Sequence, residues 1–314
     1  MSMPEIPERF NAAAAIVDAQ VAGGRGTRPA IVCGSRTVTY RELCEGINRF
    51  GNALRGLGVR MEERVMVLLP DSPQCAFAFF GAMKIGAVAI PINTLLQPKD
   101  YEYLLNDSRA RVLVVSLAHL PAVAEIRAGL RHLEHVVLVD GEAEGCLSWE
   151  KLLQEASPVL EPADTSKDDA AFWLYSSGTT GFPKGSIHLH HDMIAAADLY
   201  AKQILGLNES DVSFSVAKLF FAYGLGNGLY FPLRTGGTTV LLSGRPLPEK
   251  VFEVIDHCGV TVFYSVPTSY AALLHMAEKT GRTSLGKVRL CVSAGEPLPK
   301  PIYEQWRARF GIEI

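Results

Sequence analysis

The chain reads as an α/β protein built of parallel sheets covered by helices. Several runs are apolar almost without a break, as in Val65-Met66-Val67-Leu68-Leu69 and Val112-Leu113-Val114-Val115. Strands buried on both faces need that pattern, and parallel strands are buried on both faces. Between the runs stand segments with apolar residues at helical spacing, clearest at Leu43, Ile47, Phe50, Leu54 and Leu57. Strand and helix that alternate in this way predict crossover connections. The 314 residues, 48% hydrophobic and 20% charged, can bury a large core and predict two domains or subdomains.

Taken in order, 37–40 alternates like a strand and 41–57 is a helix that stops at Gly58. The strand at 64–69 ends before Pro70. A helix at 72–84 and a strand at 87–91 follow. The longest apolar stretch, 75–92, is broken by Gly81, Lys84 and Gly86, so it predicts a buried helix turning into a buried strand, not a membrane span. Residues 98–107 read as helix, and 111–115 and 136–139 as strands. The polar, acidic stretch 142–167 reads as a connecting segment, so the regions are expected at 1–165 and 166–314. The second region opens with an apolar strand, 170–174. It continues with strands at 238–242, 260–265 and 289–293 and a helix at 248–258. Residues 310–314 read as the start of a further strand.

Several function classes are set aside. A net charge of −3 with no basic run leaves no footprint for nucleic acid. The six cysteines form no Cys-x-x-Cys pair and read as buried thiols of a reducing, cytoplasmic protein. Residues 11–17 are too short and lack the cationic flank of a signal peptide. His188, His190 and His191 have only Asp192 nearby, which completes no tetrahedral set, so no metal site is expected.

The most informative segment is Tyr175-Ser176-Ser177-Gly178-Thr179-Thr180-Gly181-Phe182-Pro183-Lys184-Gly185. Glycines let backbone N–H groups curl around an anion, hydroxyls donate to it, and lysine adds a compact positive charge. Such a loop suits a polyphosphate. Some of its hydroxyls could instead cap a following helix. Its order is not Gly, four residues, then Gly-Lys-Ser/Thr. It resembles the phosphate loop of the adenylate-forming superfamily, which comprises acyl-CoA synthetases, luciferases and peptide-synthetase adenylation domains.

Four further blocks line up in order. They are Thr39-Tyr40-Arg41-Glu42-Leu43, the block 84–93, the aromatic block 219–226, and Ser293-Ala294-Gly295-Glu296-Pro297-Leu298-Pro299. Residues 172–177 and 218–227 look like the benzoate and hydroxybenzoate CoA ligases. The resemblance implies the two α/β subdomains of a ligase N-terminal domain. It implies ATP, Mg2+ and coenzyme A as substrates and cofactor, and an aromatic carboxylate as the acid. By the same resemblance, Ser176, Ser177, Gly178, Thr179, Thr180, Gly181 and Lys184 bind phosphate. Gly295, Glu296 and Pro297 contact adenine. Phe221, Ala222, Tyr223, Gly224, Ala294 and Gly295 line the acid pocket, and His190 stands behind the phosphate loop.

No Asp or Glu occurs between Val216 and Gly244. A buried α-ammonium group would lack its counter-charge there, which argues against an amino acid substrate. Tyr223, Tyr264 and Ser265 are candidate partners for a ring hydroxyl, or core residues bonded to backbone. In the family the magnesium-binding glutamate and the catalytic lysine lie beyond the position of Ile314. The chain therefore reads as an N-terminal part with little turnover alone. A homodimer is allowed. Two rivals remain: a phenylpropanoid or fatty acyl-CoA synthetase, and a non-catalytic protein that holds nucleotide or an aryl acid.

Overall fold

The structure is a computed structural model that describes residues 5–176 and 181–314. Internal contacts divide the chain into two compact units, one of residues up to Thr27 with Tyr40–Ala196, the other of Arg28–Thr39 with Ala197–Ile314. Strands β1 (Pro29–Cys33) and β2 (Arg36–Thr39) thus precede the first unit's sheet in sequence but belong to the second. The break after Ala196 differs from the expected boundary at 165/166, because the next two strands join the first unit's sheet.

The first unit holds α1 (Tyr40–Gly56), β3 (Arg64–Leu68), α2 (Pro73–Lys84), β4 (Val88–Pro91), α3 (Pro98–Ser108), β5 (Val112–Ser116), α4 (Leu120–Ile126), β6 (His135–Val139), β7 (Leu147–Ser148), α5 (Trp149–Glu155), β8 (Ala170–Ser176), β9 (Lys184–Leu189) and α6 (His190–Ala196). Its sheet runs β7-β6-β5-β3-β4-β8-β9, parallel except where β9 returns antiparallel on β8. All five residues of β5 are buried, as the unbroken apolar run requires. The Ser72 side chain caps α2 by accepting from the Cys75 N–H at 3.2 Å, and Pro73 presets its first turn.

Helices α1 and α2 meet through glycine. A Cβ on Gly51 would lie 3.2 Å from the Gly81 carbonyl oxygen and 2.4 Å from Leu160. Beside this contact the fully buried Lys84 ammonium donates to Asp18 and, at 2.6 Å, to Asn48 Oδ1. The stretch 142–167, expected to be a connector, instead contains β7 and α5, and Trp149 stacks on Phe50 with centroids 4.7 Å apart. Of the six free cysteines, expected to be buried thiols, Cys75 and Cys291 are buried and the other four half-buried.

The second unit adds β10 (Val212–Ser215), α7 (Ala222–Leu225), α8 (Phe231–Thr235), β11 (Thr238–Leu241), α9 (Pro248–Cys258), β12 (Val262–Ser265), α10 (Pro267–Thr280), β13 (Leu290–Ser293) and α11 (Lys300–Phe310). Its sheet runs β13-β12-β10-β11-β1-β2, parallel except for the β1–β2 pair. Residues 310–314 do not start a strand. Phe310 ends α11, where it and Trp306, four residues earlier, bury one helical face, and Gly311 stops the helix at φ +69°.

Asp211, 3% exposed, ties together the amino-terminal ends of three strands. Arg289 clamps it through Nε at 2.8 Å and Nη2 at 2.7 Å, and Thr261 Oγ1 donates to it at 2.8 Å. Burial pushes its carboxyl up, but the bonds from Arg289, Asn208 and Thr261 outweigh this and hold it below the usual range. Arg289→Ala leaves a buried carboxylate without its counter-ion and is expected to cost about 3–5 kcal/mol in denaturant unfolding at neutral pH. The double variant Asp211→Asn/Arg289→Ala should recover part of that loss, since a neutral amide is cheaper to bury. A double variant no more stable than Arg289→Ala would contradict the assignment.

His190 is fully buried, and its Nδ1 accepts the Ala12 N–H at 3.1 Å. The proton of the neutral ring therefore sits on Nε2, which is buried and finds no partner among the described residues. Burial lowers its pKa from 6.5 to about 4. The unfolded chain binds this proton first on acidification, so stability is full above pH 6.5 and falls as the pH drops toward 4. Urea midpoints should report a loss of about 2 kcal/mol between pH 7 and pH 5 from this group. His190→Asn, which keeps an acceptor for Ala12, should abolish that component. An equal pH-dependent loss in the variant would contradict it.

Candidate functional site

In parallel sheets the connections at the carboxyl ends of the strands are free to bind ligands. The hydroxyl-rich segment lies at such an end, between β8 and β9. Their register pairs Ser176 with Lys184 and Tyr175 with Gly185, so the two strands form the stem of a hairpin. Ser177, Gly178, Thr179 and Thr180 lie outside the described residues. The element that follows the segment is a strand, so Ser176 has no helix to cap there. Gly181 has φ +123°, a conformation that favours glycine. Lys184 is exposed at the start of β9.

Helix α3 holds both sides of this stem. Tyr103 OH donates to the Pro183 carbonyl at 3.1 Å, and its ring stacks on Phe182 with centroids 4.7 Å apart and planes 20° apart. Phe182 is otherwise 71% exposed. One turn further along α3, Asp107 accepts from Tyr175 OH at 2.6 Å. Burial, and then this carboxylate, push the Tyr175 phenol well up. Neither Tyr103 nor Asp107 stands out in the sequence. They are about 70 to 80 residues from their partners, and no motif marks them.

His188 lies in β9, and His190 and His191 open α6. His188 stacks on Phe172 with centroids 4.5 Å apart, and His191 contacts Lys167 O, Asp168 and Asp192. The described contact of the His190 ring is with the N-terminal segment at Ala12. Among the described residues no group of three His, Cys, Asp or Glu side chains could hold a metal ion.

In the second unit the aromatic block and residues 294–297 meet at the carboxyl edge of the sheet. Tyr223 OH donates to the carbonyls of Ser265, at 3.1 Å, and Val292, at 3.2 Å, bridging β12 and β13. Its hydroxyl is thus taken up by backbone, one of the two roles open to it from sequence. Ala222 and Phe221 are exposed, and Phe221 rests its ring 4.6 Å from Phe220. Gly224 is dictated by space, since a Cβ there would lie 2.0 Å from the Lys218 carbonyl oxygen. Gly295 has φ +89°, and Gly295, Glu296 and Pro297 are all exposed.

Around this edge several buried oxygens find no partner among the described residues. Ser265 Oγ and Ser293 Oγ, whose residues are register partners, are two of them. Asn227 Oδ1 is another, whereas the Tyr264 hydroxyl faces that of Ser213 toward the amino end. An unpaired buried hydroxyl costs about 1–3 kcal/mol, so such groups call for a ligand or ordered water.

The chain is similar to several known proteins. The chain is 47% identical over 311 residues to the benzoate–CoA ligase of Thauera aromatica, covering 99% of this chain and 58% of that protein. It is 42% identical over 305 residues to a 4-hydroxybenzoate–CoA/benzoate–CoA ligase of Rhodopseudomonas palustris, covering 97% and 56%. The structure superposes on anthranilate CoA ligase AuaEII in complex with anthranoyl-AMP with a TM-score of 0.96 at 40% identity, over all of this chain and 60% of that one. A benzoate CoA ligase from Burkholderia xenovorans LB400 gives 0.88 at 40% identity, over 97% and 60%. The chain thus spans a little under three fifths of the curated relatives it matches. Residues 17–314 match the AMP-binding enzyme family, and the chain belongs to that family.

Proposed function

We propose that the intact protein is an aryl-CoA ligase that uses ATP to activate a benzoate-type acid. The observation that carries this reading is the 47% identity to a benzoate–CoA ligase over 99% of the chain. Two features of the structure support it. The hairpin stem presents one exposed lysine, Lys184, beside the hydroxyl-rich segment. The aromatic block has no Asp or Glu and is held at the carboxyl edge by Tyr223.

In the first step a carboxylate oxygen of the acid bonds to the α-phosphorus of ATP, and the bond to the β-phosphate oxygen breaks. Pyrophosphate leaves. In the second step the coenzyme A sulfur bonds to the acyl carbon and AMP leaves. Such chemistry depends mainly on positioning and charge stabilisation. Lys184, Ser176 and Gly181, with Ser177, Gly178, Thr179 and Thr180, would hold the β- and γ-phosphates. The flat ring would lie against Phe221, Ala222, Tyr223, Gly224 and Ala294. Adenine would lie on Gly295, Glu296 and Pro297, where glycine allows close approach of a ring. Magnesium would neutralise phosphate charge when bound.

Lys184→Ala in the intact protein should slow acid-dependent ATP–pyrophosphate exchange about tenfold to a hundredfold, the effect of losing one charge-assisted hydrogen bond. An unchanged rate would remove Lys184 from the phosphate site. In the same assay, benzoate and hydroxybenzoates should be activated in preference to palmitate and to amino acids. A preference for palmitate would favour a fatty acyl-CoA synthetase instead.

A further inference from the structure

We infer that α3 positions the phosphate loop, with Tyr103 and Asp107 as its positioning residues. This rests on the proposed role of the loop in holding ATP phosphates. The two residues are four apart and so share one face of the helix. Tyr103 holds the outgoing side of the hairpin, where its hydroxyl donates to the Pro183 carbonyl and its ring covers Phe182. Pro183 is bonded directly to Lys184, so this contact fixes the backbone from which the lysine projects. Asp107 holds the incoming side through Tyr175, the residue before Ser176.

The tether solves a problem set by the sequence. Binding an anion costs less when the groups that face it are already fixed. Lys184 and Phe182 are exposed, so little core packing restrains them. Two hydrogen bonds and one ring stack from a helix whose Tyr101, Leu104 and Leu105 are buried supply the missing restraint. A loop held in this way loses less freedom on binding, which favours affinity. Neither residue need touch the nucleotide.

Tyr103→Phe deletes the bond to Pro183 and keeps the ring on Phe182, while Tyr103→Ala deletes both. In the intact protein Tyr103→Phe is expected to raise the KM for ATP about fivefold to tenfold, with the KM for the acid unchanged. Tyr103→Ala and Asp107→Ala should raise it further or equally. Because the effect passes through the loop, Tyr103→Phe should have a much smaller effect in the Lys184→Ala background than alone. An unchanged KM for ATP in both Tyr103 variants, while Lys184→Ala is impaired, would overturn the role of α3 and leave the loop's function standing. A rise in the KM for the acid equal to that for ATP would also overturn it, as a sign of general damage. If Lys184→Ala is itself without effect on the use of ATP, the reading of the loop fails first.

Discussion

The constraint on which the architecture depends is that a parallel strand can be continued only by a crossover. Each crossover leaves the sheet at the carboxyl edge and returns at the amino edge. In the first unit this places the end of β8 and the segment after it at a carboxyl edge, beside the parallel neighbour β4. In the second it does the same for the ends of β10, β12 and β13. The two edges of the second sheet are then treated differently. At the amino edge a buried carboxylate is fully paired by Arg289 and Thr261. At the carboxyl edge hydroxyls such as Ser265 Oγ and Ser293 Oγ are buried and unpaired among the described residues. A protein that pairs its charges at one edge and leaves hydroxyls open at the other has a polarity suited to a ligand at the second.

Other charged groups serve the frame. Lys84 is fully buried and paired with Asp18 and Asn48, where it joins the N-terminal segment, α1 and α2. Asp198 is clamped by Arg234 at 2.8 Å and Lys202 at 2.6 Å. These groups are held by neighbours that complete their hydrogen bonds. Lys184 is different, an exposed cation at the start of β9, and its surroundings are held by one ring stack and two hydrogen bonds from α3.

Much of the fold was legible because burial on both faces leaves a plain mark. The runs at β3, β4, β5 and β12 are mostly apolar, and the structure places each as a parallel strand. The polar stretch around α5 hid its helix because only Trp149 is buried there, and its partner Phe50 is about a hundred residues away. Residues 310–314 imitate a strand because Phe, Ile and Ile alternate with polar or small residues. The packing of Phe310 with Trp306 one turn earlier draws only Phe310 into α11, and 311–314 take no regular structure. The assignment of 28–39 to the second unit depends on the pairing of β1 with β11, which no local pattern announces. In the site, the hydroxyl-rich segment and the Gly224 constraint follow from residue type, but the hold of Tyr103 and Asp107 on the loop is purely tertiary.

The central claim is the proposal that the intact protein activates a benzoate-type acid as its adenylate. It is tested most directly by titrating the intact protein calorimetrically with the non-hydrolysable sulfamoyl analogue of benzoyl-adenylate. The account predicts one site per chain, competition with ATP, and binding at least about a hundredfold tighter than benzoate alone, because the two halves are linked. Absence of binding, or equal affinity for the palmitoyl or an aminoacyl analogue, would contradict it.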